Sequence, residues 1–269
     1  MADGWRPLAL GGIVLVVILT PAFRDAEPSE AEEPSITPAA AEQENEPAPT
    51  DPPAASRTAV EGAPVPEVDG SGTRLLAGGD GAMAVALTFD DGPHPEHTEQ
   101  VLAVLRDRQV VATFCLVGGP ARSNPDLVKA IVADGHVICN HTVDHDMGLR
   151  HKSDGEITSD LEDTQAAILA SAPDADIRFF RAPGGNFATN LNSTAAALGF
   201  TPLGWSIDTR DWQKPGAAAI RDTVLTQIHP GAVVLMHDGG GDRSQTVSAL
   251  PEIIDGLAEL GYSFVVPST

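Results

Sequence analysis

Short runs of β-branched residues alternate with helical stretches from Met83 to the end of the chain, and this alternation is the feature that most constrains the fold. Strands that alternate with helices predict a parallel sheet with the helices packed outside it. Seven strand candidates are one fewer than a standard (β/α)8 barrel has, so we predict an α/β fold with a distorted (β/α)7, TIM-like barrel. The strand candidates are AVALTF, VVATFCLV, HVICN, IRFFRA, TPLGWSI, AVVLMH and YSFVV.

Residues 24–80 differ in composition from the region of alternation. Pro, Ala, Glu and Ser dominate there, and no aromatic residue follows Phe23 within the segment. Such a segment cannot bury enough apolar surface to offset the entropy that is lost on ordering. We therefore predict a disordered, semi-extended linker over residues 24–80 and a folded domain over residues 82–269.

A run of uncharged residues, LALGGIVLVVILT, lies between Arg6 and Arg24 near the N-terminus. A membrane-spanning helix needs about 20 apolar residues, and the core of a signal peptide has about 7–15. With residues 21–23 included, the run lies between these lengths, so residues 1–23 are interpreted as a signal peptide or a single membrane anchor. Both alternatives predict an extracellular domain, either secreted or anchored to the membrane and facing the cell wall.

The formal net charge of −22 argues against one class of partner. Binding to phosphate groups needs clustered Lys and Arg. The only lysines of the chain are Lys129, Lys152 and Lys214, and they form no basic patch. We therefore predict no nucleic-acid partner, and no feature of the sequence indicates a protein partner.

The chain has two cysteines, Cys115 and Cys139, and both lie in apolar runs. An even number of cysteines in an exported protein favours a disulfide. Buried cysteines also occur as small apolar thiols. Since the geometry that a disulfide requires cannot be read from a sequence, both interpretations stay open.

Polar side chains stand at the ends of five of the seven strand candidates. In βα barrels, active residues lie where strands end and loops begin. We therefore predict that these side chains meet in one site at the carboxyl edge of the sheet. They are Asp90 and Asp91, His141 to His145, Arg181, Asp208, and His237 with Asp238.

His141 and His145 are separated by three residues, and with an Asp oxygen they make a set that can hold a divalent ion. The spacing alone is weak evidence, because two surface or core histidines also give it. The paired carboxylates of Asp90 and Asp91 strengthen the interpretation, since one can bind the metal while the other acts as a base. Adjacent residues of a strand point to opposite sides, so we expect the turn after Asp90 to bring both carboxylates to one mouth.

Five short motifs occur in the order TFDDGP, HTVDH, RAPGGN, DTRDW and LMHD. Together they resemble the motifs of the polysaccharide deacetylases, also called carbohydrate esterase family 4 or the NodB homology domain. The resemblance extends from about residue 82 to residue 269. The chain departs from the family pattern at Gly184, where many members carry an aromatic residue, often Tyr, so we expect the wall of the substrate groove to differ.

The resemblance implies a metal site and a base. Asp91, His141 and His145 would hold a divalent metal, with Zn²⁺ expected. Asp90 would take a proton from the attacking water, and Arg181 would pair with Asp90 and keep it oriented. A base is needed because an amide is a poor electrophile.

The resemblance also implies an acid and a substrate pocket. His237 would give a proton to the departing amine, which is a poor leaving group without one. Asp208 would pair with His237 and favour its charged form. The N–H of Gly184 would stabilise the oxyanion, and Trp212 and Leu235 would line the pocket for the acetyl methyl group.

Several neighbouring polar residues are given no catalytic role. His94 and His97 are expected to be surface histidines near the mouth of the site. Asp144 is expected to face solvent, and Asp211 to form a turn or a salt bridge. Asp238 is interpreted either as a supporting residue of the site or as a residue without a role in it.

The function that these features predict is a metal-dependent hydrolase that removes N-acetyl groups from an extracellular N-acetylglucosamine polymer. Peptidoglycan is the favoured acetylated polysaccharide, because an anchor or linker would hold the domain beside the wall, and chitooligosaccharides and acetylated xylan are the alternatives. An inactive cell-wall carbohydrate-binding module is the alternative of another class, and the presence of both Asp90 and His237 argues against it. An Mg²⁺-dependent phosphotransferase is disfavoured, because no glycine-rich phosphate loop occurs.

Overall fold

The protein is described by a computed structural model in which residues 83–268 are placed. The predicted export segment and linker, residues 1–23 and 24–80, lie outside the described residues. Residues 83–268 contain eight strands and seven α-helices. The strands are β1 (Ala84–Asp90), β2 (Thr113–Leu116), β3 (Val137–Asn140), β4 (Ile177–Phe180), β5 (Thr201–Pro202), β6 (Ile207–Asp208), β7 (Ala232–His237) and β8 (Ser263–Phe264). The helices are α1 (His97–Asp107), α2 (Gly118–Ser123), α3 (Pro125–Ala133), α4 (Asp154–Leu169), α5 (Thr189–Ala197), α6 (Ala217–Gln227) and α7 (Ser244–Glu259).

The strands form one curled parallel sheet in the order β5-β4-β3-β2-β1-β7-β6, and β8 pairs with the start of β1. Every strand pair of this sheet is parallel, and helices connect most of the neighbours. This architecture confirms the predicted α/β fold with a distorted (β/α)7 barrel. None of the helices within residues 83–268 is long and apolar enough to span a bilayer.

The fifth strand candidate is divided into β5 and β6, which raises the number of strands from seven to eight. β5 pairs with β4 and β6 pairs with β7, so the two halves lie at opposite ends of the hydrogen-bonded order. Between them, the carbonyls of Leu203 and Gly204 accept hydrogen bonds of 3.0 Å from the Arg181 side chain. Because the guanidinium binds these two carbonyls, they are not available to the ladder of a continuous strand.

The central strand β1 is buried along its whole length. Val85, Leu87 and Phe89 belong to the main core, which they share with buried residues of α1 and α7. The alternate residues face the other way, because successive side chains of a strand point to opposite sides. Thr88 and Asp90, two of these alternate residues, both contact the guanidinium of Arg181. The pleat of β1 therefore directs Asp90 into the barrel.

Cys115 and Cys139 form a disulfide that joins β2 to β3. The two residues are direct partners in the parallel ladder, and both are fully buried. Of the two interpretations that the sequence leaves open, the structure supports the disulfide.

We expect the disulfide to be present in the isolated protein and to stabilise the barrel. The cysteines are separated by 24 positions, and closing a loop of that size contributes about 3 kcal/mol to the free energy of unfolding. The double variant Cys115→Ala, Cys139→Ala should therefore lose about that much free energy of unfolding. Urea denaturation should show this loss as a lower midpoint concentration. Thiol titration of the denatured, unreduced wild type should detect no free thiol, and two reactive thiols would contradict the assignment.

Candidate active site

Two adjacent carboxylates face the same histidine at the carboxyl end of β1. Asp90 is the last residue of the strand, and its Oδ2 lies 3.7 Å from Nε2 of His141. Asp91 has a φ of 71°, and its Oδ1 lies 3.4 Å from the same nitrogen. The left-handed backbone of Asp91 breaks the alternation of the strand, so both carboxylates reach one mouth, as the sequence led us to expect.

Asp91, His141 and His145 place three potential metal ligands close together. One oxygen of Asp91 and one nitrogen of each histidine all lie within 4.8 Å of one another. Nδ1 of His141 donates to the Arg181 carbonyl over 2.7 Å, which leaves Nε2 to face Asp91. Oδ1 of Asp91 is buried and accepts no hydrogen bond from the part of the chain that is described. One carboxylate and two imidazoles with an unsatisfied oxygen fit a divalent cation.

The loop that carries the histidines has a strained backbone. Thr142 and His145 adopt left-handed conformations, with φ values of 68° and 56°. Each such conformation of a residue other than glycine costs on the order of 1–3 kcal/mol and persists only where the surroundings determine it. Here Asn140 Oδ1 accepts the N–H of Thr142 over 3.1 Å, and Asp160 Oδ1 accepts the N–H of Val143 over 3.0 Å. Neither of these two supporting side chains was predicted from the sequence.

Asp90 forms a buried ion pair with Arg181. Nη1 of Arg181 lies 2.7 Å from Oδ1 of Asp90, and the side chain of Arg181 is fully buried. The guanidinium also donates to Thr88 Oγ1 over 2.9 Å and stands 5.6 Å from the centre of the Trp205 ring. A buried ion pair offsets its desolvation only where further hydrogen bonds satisfy both partners, and Arg181 is satisfied in this way. Arg181 and Asp90 thus form the pair that the family resemblance implies.

The partner of His237 is Asp211, and the prediction that Asp208 pairs with this histidine is wrong. Nδ1 of His237 donates to Asp211 Oδ1 over 2.7 Å. Asp211 Oδ2 accepts two more hydrogen bonds, of 2.8 Å from the His237 N–H and of 2.7 Å from Thr246 Oγ1. Asp208 instead accepts the N–H of Arg210 through its Oδ1 over 2.9 Å. The expectation that Asp211 forms a turn or a salt bridge is confirmed, but the sequence did not indicate that its partner is His237.

A change of backbone direction explains why Asp211, and not Asp208, pairs with His237. β6 is only two residues long and ends at Asp208. Arg210 then adopts a left-handed φ of 50°, and a short 3-10 helix, Asp211–Gln213, follows. The turn carries Asp211, which is buried, toward the end of β7. The motif DTRDW contains both aspartates, but its letters do not show where the strand stops.

Two partly buried histidines of the site, His145 and His237, have pKa values that shift in opposite directions. Burial alone would lower the pKa of His237, but the hydrogen bond and the charge of Asp211 outweigh it and raise the pKa. Burial lowers the pKa of His145, and the neighbouring His141 lowers it further. His237 therefore favours its charged form, whereas His145 favours the neutral form that a metal requires.

The remaining predicted residues lie on neighbouring loops and strands. Gly184 has a φ of 58° in the turn after β4, and its N–H donates no hydrogen bond within residues 83–268. The side chain of Met147 occupies the space that a Cβ at position 184 would need. Trp212 follows Asp211 and is 51% exposed, and Leu235 lies in β7 and is 5% exposed. Thus a Met side chain lies against Gly184, where many family members carry an aromatic residue.

Comparison of this sequence with known proteins shows which family it is similar to. The family profile described as "Polysaccharide deacetylase" matches residues 77–203. A chitooligosaccharide deacetylase of Sinorhizobium fredii is 39% identical over 195 residues, which is 68% of this chain and 90% of that protein. A peptidoglycan-N-acetylglucosamine deacetylase of Bacillus cereus is 40% identical over 186 residues, which is 68% of this chain and 86% of that protein.

A solved structure agrees with these relatives. The crystal structure of a peptidoglycan N-acetylglucosamine deacetylase, in complex with 4-naphthalen-1-yl-N-oxidanyl-benzamide, superposes with a TM-score of 0.66. The two proteins are 37% identical, and the match covers 69% of this chain and 86% of that one. The chain therefore belongs to the polysaccharide deacetylase family, as its five motifs predict, and it is a hydrolase that acts on N-acetyl amide bonds.

Proposed function

We propose that residues 82–269 form a metal-dependent deacetylase that removes N-acetyl groups from an N-acetylglucosamine polymer outside the cell. One observation carries the proposal: the ligand set of Asp91, His141 and His145 has a base candidate and an acid candidate beside it. These candidates, Asp90 and His237, are direct partners in the ladder between β1 and β7. An enzyme that breaks an amide bond needs this combination of groups.

The metal site would be formed by Asp91, His141 and His145, and we propose Zn²⁺ as its ion. When bound, such an ion supplies Lewis-acid chemistry that activates a water molecule and polarises the acetyl carbonyl. The position of Asp91 Oδ1 supports this assignment, because it lies 3.4 and 3.3 Å from Nε2 of His141 and His145 but accepts no hydrogen bond from the described residues. A cation between these three atoms would satisfy the buried oxygen. Nitrogen and oxygen ligands of this kind suit Zn²⁺ better than Mg²⁺.

Asp90 is the proposed base. Arg181 binds Oδ1 of Asp90 and leaves Oδ2, on the side of His141, to accept the proton of the attacking water. The ion pair also prevents rotation of the carboxylate, so the accepting oxygen stays in place. Arg181 therefore acts on the reaction by orienting Asp90.

His237 is the proposed acid. Asp211 binds its Nδ1–H and so leaves Nε2–H to donate. Water adds its oxygen to the acetyl carbon, the carbon–nitrogen bond breaks, and the nitrogen takes the proton of His237 as it departs as an amine. Acetate is the other product. The raised pKa of His237 favours the protonated form, which is the form that can donate.

The substrate's acetyl group would be bound by Gly184, Trp212 and Leu235. The N–H of Gly184, which donates no hydrogen bond within residues 83–268, can donate to the oxyanion as negative charge develops there. Trp212 is exposed beside Asp211, and Leu235 precedes His237 by two positions in β7. Apolar side chains at these positions suit the methyl group of an acetamide.

Peptidoglycan is the substrate that we propose, with chitooligosaccharides as the second candidate. The similarity to a peptidoglycan deacetylase and that to a chitooligosaccharide deacetylase are nearly equal, at 40% and 39% identity. The apolar run and the linker-like composition of residues 1–80 favour a polymer outside the cell. We propose accordingly that residues 1–23 direct export or anchor the protein, and that residues 24–80 separate the anchor from the domain.

Loss of the ligand set or of the base should abolish deacetylation. Asp91→Ala and His141→Ala should lower acetate release from peptidoglycan or chitooligosaccharides by more than about 100-fold. Asp90→Asn should lower kcat by about 10²–10⁴-fold. The assay is acetate release with and without chelator, and acetylated xylan serves as the ester substrate.

Asp144→Ala is the matched control for these variants, because Asp144 lies between the two histidines but is exposed to solvent. It should retain full activity. Undiminished acetate release by Asp91→Ala and His141→Ala would refute the metal-dependent mechanism. Glycan binding by the wild type without acetate release from any of the three substrates would favour the carbohydrate-binding alternative.

The pH dependence of the reaction should report His237. Because Asp211 raises the pKa of His237, the protonated acid persists at low pH and is lost as the pH rises through that pKa. Asp211→Asn removes the charge and should shift the alkaline limb of kcat to lower pH. Asp208→Asn should leave the limb in place, because within residues 83–268 the Asp208 carboxylate accepts a hydrogen bond from Arg210 and not from His237. Equal shifts in both variants, or none in Asp211→Asn, would contradict the assignment of the acid pair.

A further inference from the structure

Besides Asp90 and Asp211, a third buried carboxylate lies beside the site, and it has no part in the mechanism described above. Asp238 directly follows His237, and its side chain is fully buried. Its Oδ2 accepts a hydrogen bond of 2.5 Å from Thr98 Oγ1 in α1. Its Oδ1 is buried without a hydrogen-bond partner among the described residues. A buried carboxylate is costly to keep, so its contacts indicate what it does.

Asp238 holds the turn that follows β1, which we define as residues 91–94 and call the β1 turn. The carboxylate of Asp238 occupies the space that a Cβ at Gly92 would need, so the backbone of the turn lies directly on it. At the end of the turn, the N–H of His94 donates to Thr98 Oγ1 over 2.7 Å. The same hydroxyl donates to Asp238, so a chain of two hydrogen bonds ties the turn to β7.

The backbone that follows Asp238 contacts Asp91 itself. The N–H groups of Asp238 and Gly239 both donate to the carbonyl of Asp90, over 3.1 and 3.2 Å. A Cβ at Gly239 would meet the main-chain carbonyl of Asp91, and a Cβ at Gly240 would meet its carboxylate. Gly239 packs against the backbone of Asp91, and Gly240 packs against its side chain.

We propose that Asp238 is a positioning residue that fixes the carboxylate of Asp91 for cation binding, an inference that rests on the proposed metal-dependent function. Asp91 has a left-handed φ of 71°, which its own conformational preference does not support. The neighbours that hold this conformation are Gly92, packed on Asp238, and the turn fixed through Thr98. Without these contacts the turn relaxes, and Oδ1 of Asp91 moves away from His141 and His145.

The variant Thr98→Val tests this inference with little change of volume. It removes the hydroxyl that links His94 to Asp238, but it leaves every proposed metal ligand in place. The full-length protein is freed of metal by a chelator, and its Kd for Zn²⁺ is measured by isothermal titration calorimetry. We expect the Kd to rise by about 10-fold or more, as is typical when a residue that orients a ligand is lost.

Three further variants separate positioning from general destabilisation. Thr164→Val removes another buried threonine hydroxyl, which bonds the Asp160 carbonyl within α4, and should leave the Kd unchanged. Asp238→Asn keeps the size of the side chain and an acceptor for Thr98, so its Kd should stay near that of the wild type. Asp238→Ala should weaken Zn²⁺ binding at least as much as Thr98→Val does.

Activity gives an independent readout of the same inference. Because Thr98 touches no reacting group, the kcat of Thr98→Val should recover when Zn²⁺ is raised to saturation. A kcat that stays low at saturating Zn²⁺, or a Kd equal to that of the wild type, would overturn the positioning role. If the wild type itself binds no Zn²⁺, or Asp91→Ala binds it equally well, the proposed metal site fails and the inference fails with it.

Discussion

The ion pair between Arg181 and Asp90 is the interaction on which the site depends. An unpaired guanidinium inside the barrel would cost several kcal/mol, so its four hydrogen bonds have to be satisfied together. Two of these bonds take the carbonyls between β5 and β6, which is where the barrel departs from regular strand pairing. The carbonyl of Arg181 also orients His141. The side chain of Arg181 thus contacts the proposed base and the segment between β5 and β6, and its main-chain carbonyl contacts a proposed metal ligand.

The site separates charges that would otherwise repel one another. Asp90 and Asp91 are adjacent, but Arg181 neutralises the first, and two imidazoles face the second. On the opposite flank, a hydrogen bond to Asp211 favours the charged imidazole of His237. The site therefore places a carboxylate that can accept a proton and an imidazolium that can donate one on either side of the proposed metal ligands, which is what hydrolysis of an amide needs.

The alternation of strands and helices predicted the barrel, and the polar strand ends predicted which loops meet. These two predictions are correct because they depend only on the order of the elements along the chain and on the carboxyl edge that parallel strands share. Asp208 was misassigned because β6 ends after two residues and a left-handed turn at Arg210 brings Asp211 to His237 instead. The supporting roles of Asn140 and Asp160 depend on tertiary contacts with a loop backbone, which no local pattern encodes.

The central claim is that Asp91, His141 and His145 hold one divalent cation beside Asp90 and His237. Anomalous diffraction at the zinc absorption edge, from crystals grown with Zn²⁺, tests it most directly. The account predicts one strong peak at about 2.0–2.2 Å from Asp91 Oδ1 and from Nε2 of both histidines. Zinc bound only elsewhere on the molecule, with no peak between these three side chains, would contradict it.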